Sequence, residues 1–198
     1  FAQIAQVMHQ NDPVRFVLRY GCRRERLQRM FFGVQRDIRI GHDVVRKAYL
    51  RQTQQQSLDN ELWQRVYTVA KHLQRAGYCA GECVGQPLLI ASGGHCTIVR
   101  WDSNSNGAWD ATPEAMSEAT GFRLNNGALE TRRGATSCSD GGWEKMTNPG
   151  ALNVTHFQIT RQDIAGFAPE LIVMLAAHAV ADPRISAQAE YRVTGYNL

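Results

Sequence analysis

Leu58-Asp-Asn-Glu-Leu62-Trp-Gln-Arg-Val66-Tyr-Thr-Val69-Ala70-Lys-His-Leu73-Gln-Arg-Ala76-Gly77 is the stretch on which the reading of the fold turns. Leu58, Leu62, Val66, Val69, Ala70 and Leu73 recur three or four residues apart, the spacing that lines one face of an α-helix. Gln54, Gln55, Gln56, Asp59, Gln64, Arg65 and Lys71 fall on the wetter faces. Glu61 and Arg65 stand four apart with the acid first, the favourable order for a helical ion pair. Gly77 supplies the left-handed residue on which helices commonly end. The spacing therefore predicts one amphipathic helix over about 48–76, with Trp63 and Tyr67 flanking its apolar stripe in a core or subunit contact.

Beyond Gly77 the helical period disappears. Cys96-Thr-Ile-Val-Arg-Trp101 is β-branched and strand-like. Residues 121–124 and 128–132 flank Asn125-Asn126-Gly127, and Asn-Gly offers the positive φ angles of a tight hairpin turn. Residues 154–160 alternate, which predicts Val154, His156, Gln158 and Thr160 on one face and Thr155, Phe157 and Ile159 on the other. The apolar run 171–178 fits a buried central strand or a short helix, and 189–196 fits a last strand. Short strands separated by turn signals argue an antiparallel sheet system. The expected class is α+β: a long N-terminal helix packed on an antiparallel β-sheet head, the helix at about 48–76 and the head at 77–198.

The first 47 residues differ in kind. They carry nine Arg, one Lys and four acids, whereas residues 48–198 carry twelve basic and fourteen acidic groups. The overall charge of +4 thus belongs to the N-terminal quarter, and the body has no electrostatic reason to seek nucleic acid. Gly21, Gly33 and Gly41 are expected to interrupt any helix there. The segment 1–47 reads as a solvated basic extension. A nucleic-acid-binding arm would need aromatics regularly spaced among the arginines, and Phe16, Tyr20, Phe31 and Phe32 are not. No run of about 18 apolar residues occurs in the chain.

Four of the five cysteines, Cys79, Cys83, Cys96 and Cys138, lie in the body among Gly, Ser and Asn. An even number in such a context fits two disulfides in an oxidising compartment. Three connectivities are open, and Cys79–Cys83 with Cys96–Cys138 is the expected one. The first closes a short Gly-containing loop after the helix. The second staples an early strand to a distant loop and stabilises by roughly 3–4 kcal/mol through chain entropy. Zinc would call for a second closely spaced cysteine pair, which Cys96 and Cys138 do not make.

Asp102-Ser-Asn104-Ser-Asn106-Gly-Ala108-Trp-Asp110 places oxygen side chains at alternate positions around a glycine, as in the opening of a calcium loop. Asp102, Asn104, Asn106, Asp110 and the Ala108 carbonyl are the candidate ligands. Pro113 stands where a bidentate glutamate would close such a loop, and the next acid is Glu114, so calcium is a possible ligand of weak class, and no cofactor is required. The competing reading is an Asn/Gly turn joining two strands. Catalysis is not expected: His42, His72, His95, His156 and His178 are isolated, and there is no nucleophile elbow, zinc-protease motif or phosphate loop.

The stretch from Asp59 through Leu62-Trp-Gln-Arg-Val66 to Ala76-Gly-Tyr-Cys79 resembles the helix end of type IV minor pilins of the PilW-like group. Ile98-Val-Arg-Trp-Asp-Ser-Asn-Ser-Asn-Gly107, Arg133-Gly-Ala-Thr-Ser-Cys138, Arg161-Gln-Asp-Ile-Ala-Gly-Phe167 and Val193-Thr-Gly-Tyr-Asn-Leu198 extend the likeness across 48–198. The resemblance implies a non-catalytic subunit that primes assembly and sits at the tip of a type IV pilus. It implies residence on the periplasmic side of the inner membrane of a Gram-negative bacterium. Other minor pilins and the major pilin are the implied partners. The helix stripe of Leu58, Leu62, Val66, Val69 and Leu73 belongs to the assembly helix. Two alternatives stay open: a J-type minor pseudopilin of type II secretion, and a DNA-binding module of an uptake pilus. Members of this group begin with a leader and a membrane helix. Residues 1–47 show neither, so a frameshifted or artificial start is expected for this segment, with membrane contact reserved for a native N-terminal helix and nucleic acid not expected as a partner.

Overall fold

A computed structural model describes the backbone of residues 13–113 and 116–198, and side chains from residue 43 onward within those spans. Helix α1 runs from Pro13 to Arg75 without a break. It therefore begins well before residue 48, and the expectation that Gly21, Gly33 and Gly41 interrupt it is corrected. Glycine costs only about 1 kcal/mol per interior helical position relative to alanine, a modest penalty spread over a helix of 63 residues. The side chains of the proposed basic arm, including Phe16, Tyr20, Cys22, Phe31 and Phe32, lie outside the described residues, as does Glu114. Among the described residues no helix is long and apolar enough to cross a membrane. Contacts divide the chain into two compact units, Phe1–Leu50 and Arg51–Leu198.

In the second unit the helix carries its stripe into the core. Leu62, Val69 and Leu73 are fully buried, and Leu58 and Val66 nearly so. Each such side chain contributes about 1.5–3 kcal/mol on leaving water, so the five together contribute on the order of 10 kcal/mol as an upper estimate. Glu61 and Arg65 form the helical ion pair at 3.0 Å. Just past the helix end the chain turns at Gly77, whose φ is +85°. A Cβ there would lie 2.1 Å from the Asn197 carbonyl oxygen. Glycine is thus required twice, by backbone conformation and by the C-terminal segment pressed against the helix end.

Among the described residues eight strands follow, all antiparallel to their neighbours. β1 (Leu88–Ala91), β2 (Cys96–Arg100), β3 (Ala119–Asn125), β4 (Ala128–Arg133) and β5 (Glu144–Lys145) form a five-stranded meander. β6 (Leu152–Gln162), β7 (Glu170–Ala179) and β8 (Ser186–Thr194) form a three-stranded one. The β3–β4 hairpin pairs Asn125 with Ala128, so Asn126-Gly127 is a two-residue turn with φ angles of 48° and 73°. The 171–178 run resolves as the central strand β7, whose Leu171, Val173 and Leu175 are buried. One core joins the helix stripe to Val99, Phe122 and Leu129 of the first sheet and Phe157, Ile159 and Val173 of the second. The arrangement is α+β, one helix with antiparallel sheets. A smaller cluster of Ile98, Ala119 and Ala135 with Trp143 covers part of the first sheet.

The alternation expected along β6 fails at two residues, Val154 and the exposed Thr155. Val154 is buried with Phe157 and Ile159, whereas His156 and Gln158 remain partly exposed. The register explains this: Val154 pairs with Ala177 and His156 with Ala176, leaving Thr155 as an extra residue in a β-bulge. A bulge shifts the phase by one, so Val154 turns inward while His156 keeps its outward aspect.

Truncating the stripe should unfold the head. Leu62→Ala is expected to cost about 2–5 kcal/mol in chemical denaturation, against little change for the exposed neighbour Gln64→Ala. Equal effects would mean that the stripe is not the core of the head.

Candidate functional site

The end of α1 is wired into the loop 102–110 by a single buried carboxylate. Asp102 is 1% exposed. One of its oxygens, Oδ2, accepts the N–H of Ala80 at 3.0 Å and of Gly107 at 2.9 Å, and Oδ1 accepts that of Asn106 at 3.0 Å. Burial pushes this carboxyl up, but the amides of Ala80, Gly107, Asn106 and Ser105 together hold it below the ordinary carboxylate range. The Tyr78 carbonyl accepts the Asp102 N–H at 2.9 Å and the Trp109 indole N–H at 3.1 Å. Gly81 and Gly107 meet backbone to backbone, since a Cβ on Gly81 would stand 2.9 Å from the Gly107 Cα.

A second acid, Glu118, completes the loop. It is 4% exposed; its Oε1 accepts from Ser103 N, Ser103 Oγ and Asn104 N, and its Oε2 from Asp110 N. Glu118 lies 15 residues beyond Ser103, with no local spacing to announce it. The sequence pattern for calcium did not include it.

Of the five positions expected around calcium, the four side chains, Asp102, Asn104, Asn106 and Asp110, already accept donors. Asn104 Oδ1 accepts the Asn106 N–H, Asn106 Oδ1 accepts the Ala108 N–H, and Asp110 Oδ2 accepts both side-chain amides, Asn104 Nδ2 and Asn106 Nδ2. With both Asp102 oxygens also engaged, a cation would have to displace N–H groups that already satisfy the loop. The residues do gather, but as a hydrogen-bonded turn, with Ala108 entering through its N–H. The peptide bond before Pro113 is cis.

Of the two disulfides, one closes the chain at this junction and the other begins at the far end of β2. Cys79–Cys83 closes the loop after the helix, and Cys96–Cys138 joins β2 to the loop after β4. The Cys79 and Cys83 sulfurs and an Asp102 oxygen lie within 4.8 Å of one another. The sulfurs are bonded to each other, so they offer no thiolate to a metal. The Cys138 loop is tied down by Asp140, which accepts the Ser137 hydroxyl and the Ser137 and Thr136 N–H groups and is thereby held well below the ordinary carboxylate range. Arg123 donates to the Cys138 carbonyl at 2.7 Å, pairs with the buried Glu130 at 2.9 Å, and lies over the Trp143 ring.

A cavity of about 520 Å³ opens between the helix end and β3–β4, lined by His72, Trp101, Glu118, Thr131, Arg133 and Glu144 among others. Burial, and then the Arg75 charge, lower the His72 pKa. The Glu118 oxygens hold loop amides, and Arg133 Nε donates to the Ser117 carbonyl. These polar groups serve the loops around them.

The outer faces of the helix are different. Leu58, Leu62, Val66, Val69 and Leu73 are consumed by the head's own core, whereas Trp63 and Tyr67, one turn apart, are 47% and 48% exposed. Tyr67 meets Tyr191 of β8 edge-on at 5.6 Å, and Lys71 lies over the Tyr67 ring. Helix and edge strand thus present one aromatic strip.

A family model described as "Prepilin peptidase-dependent protein B" matches residues 51–195. A protein of Escherichia coli (strain K12) with that same name is 50% identical over 155 residues, spanning 78% of this chain and 83% of the relative. No solved structure matches.

Three outcomes follow from the junction. Millimolar calcium is expected to leave the melting midpoint unmoved, because the Asp102, Asn104 and Asn106 oxygens already hold donors; an upward shift would reinstate the ion. Asp102 has a depressed folded pKa, so its stabilising effect is present above the unfolded value and fades as the pH falls below about 4. The midpoint should therefore drop on acidification, and drop less in Asp102→Asn. Replacing Cys96 and Cys138 by Ala should cost roughly 4 kcal/mol, and replacing Cys79 and Cys83 roughly 2 kcal/mol, the longer loop losing more; denaturant titration of the two double variants reads the order.

Proposed function

The chain belongs to the family of prepilin peptidase-dependent protein B, and on that premise we propose that it is a non-catalytic minor pilin, a subunit that primes assembly and sits at the tip of a type IV pilus. The observation that carries this reading is the family match over residues 51–195, which spans the helix end and nearly all of the sheet system. The relative's name ties it to prepilin peptidase, and the same dependence brought to this chain gives it a pilus-related role in the cell envelope. In this reading residues 48–198 are a pilin-like domain, and residues 1–47 are an atypical basic segment. The periplasmic side of the inner membrane is its place before assembly.

Physical features support the assignment. A subunit delivered through an oxidising compartment benefits from covalent staples, and both disulfides lie where loops meet strands or the helix end. The helix stripe stabilises the head itself, so contacts with sister subunits fall to other surfaces. Trp63, Tyr67 and Tyr191 suit that role: partly exposed aromatics supply large contact area at low entropic cost. The sister minor pilins and the major pilin are the proposed partners.

Co-expression with the sister minor pilins of the same bacterium should give a complex that co-purifies with the tagged chain. Trp63→Ala with Tyr67→Ala should weaken capture at least tenfold while leaving the melting midpoint within a few degrees, since neither side chain is buried in the core. A chain that captures none of the sister subunits sinks the assignment.

A further inference from the structure

Two histidines from different sheets meet at the surface. His95 precedes β2 and is exposed, and His156 sits on β6 just past the bulge and is partly exposed. Their ring centres are 5.7 Å apart with planes at 87°. Local structure forces this meeting. Ser92, Gly93 and Gly94 all have positive φ, of 54°, 66° and 97°, which turns the chain tightly between β1 and β2. Gly94 is pressed so close to β6 that a Cβ would stand 2.6 Å from the Ile159 carbonyl oxygen. The bulge at Thr155 then sets which β6 side chains face that turn.

Hydrogen bonding sets the tautomer of each ring. His95 Nδ1 lies 2.6 Å from the Phe157 carbonyl, which can only accept, so Nδ1 carries the proton. The lone pair of His95 is therefore at Nε2. Gln158 Nε2 donates to the Gly93 carbonyl at 3.3 Å, which turns Gln158 Oε1 toward His156 Nε2 at 3.1 Å. His156 Nε2 is thus the donor, and its lone pair is at Nδ1. Metal-binding histidines have this arrangement: the second ring nitrogen donates to an oxygen that fixes tautomer and orientation.

We propose that His95 and His156 form a site for a divalent transition-metal ion, with water completing the coordination. Two imidazoles bound to one tetrahedral ion by bonds of about 2.1 Å have ring centres about 5 Å apart, close to the separation here. Imidazole suits copper, zinc and nickel, and copper binds most strongly in the general order. The ion would bridge the turn before β2, in the five-stranded sheet, to β6 in the three-stranded sheet. It would bind the native state alone and so raise the melting midpoint.

The test uses the full chain, stripped with a chelator and carrying Cys22→Ser so that no thiol outside the disulfides competes. Calorimetric titration with cupric and zinc salts should give one saturable site, and the melting midpoint should rise with added metal. His95→Gln and His156→Gln should each weaken binding at least tenfold and abolish the midpoint rise. Gln158→Ala, which removes only the partner that orients His156, should weaken binding about tenfold. His178→Gln should change neither. The site is overturned if the stripped chain takes up neither ion, or if both histidine variants bind as tightly as their parent.

Discussion

The head is held together by the burial of one stripe of helix α1. Leu58, Leu62, Val66, Val69 and Leu73 are shared between both sheets, because the same core that receives them contains Val99, Phe122 and Leu129 from one sheet and Phe157, Ile159 and Val173 from the other. Remove the helix and each sheet loses the apolar surface that covers it. Neither meander would be independently stable with one face open to water, the three-stranded one least of all. The relation also runs in reverse, since most of the stability of a helix in a protein comes from the packing of its apolar face.

With the helix so placed, its C-terminal end becomes a junction needing close control. Several chain segments converge there: the 79–83 loop, the 102–110 loop and the C-terminal residues. Asp102 and Glu118, both buried, gather several of their backbone N–H groups with few atoms. An ionised carboxylate accepting several amides is a strong local organiser, stronger than a neutral acceptor of the same shape. Glycines at 77, 81 and 107 permit the backbones to approach. The disulfides add covalent limits on the unfolded chain, one closing the loop after the helix and the other tying β2 to the loop after β4.

This division of labour bears on function. A residue locked into its own core cannot also serve a partner, so the helix stripe is a stabilising device, and the proposed partner contacts rest on the exposed aromatics Trp63, Tyr67 and Tyr191. The α+β fold with its two disulfides accounts for a durable head; the family relationship joins the chain to prepilin peptidase-dependent protein B.

How far the chain could be read from its residues varies by element, and the variation has a cause. The stripe at 58–73, the Asn126-Gly127 hairpin turn and the central strand β7 were legible, because each depends on a short-range pattern: a period of 3.6, a turn that demands positive φ, an unbroken apolar run. The α+β class follows from those local signals. What only the tertiary structure decided were relations between distant residues. The outward tilt of His156 depends on a bulge set by pairing with β7, and the alternation along 154–160 misplaces Val154 for that reason. The loop at 102–110 has calcium-like spacing, yet its oxygens hold amides supplied by Ala80 and by the loop itself, while Glu118 from further along takes the remainder. The continuity of the helix through three glycines was equally hidden, since a modest local cost is spread over a long helix. Periodicity reports which face a residue occupies; the partner that satisfies a buried charge is chosen by the folded chain as a whole.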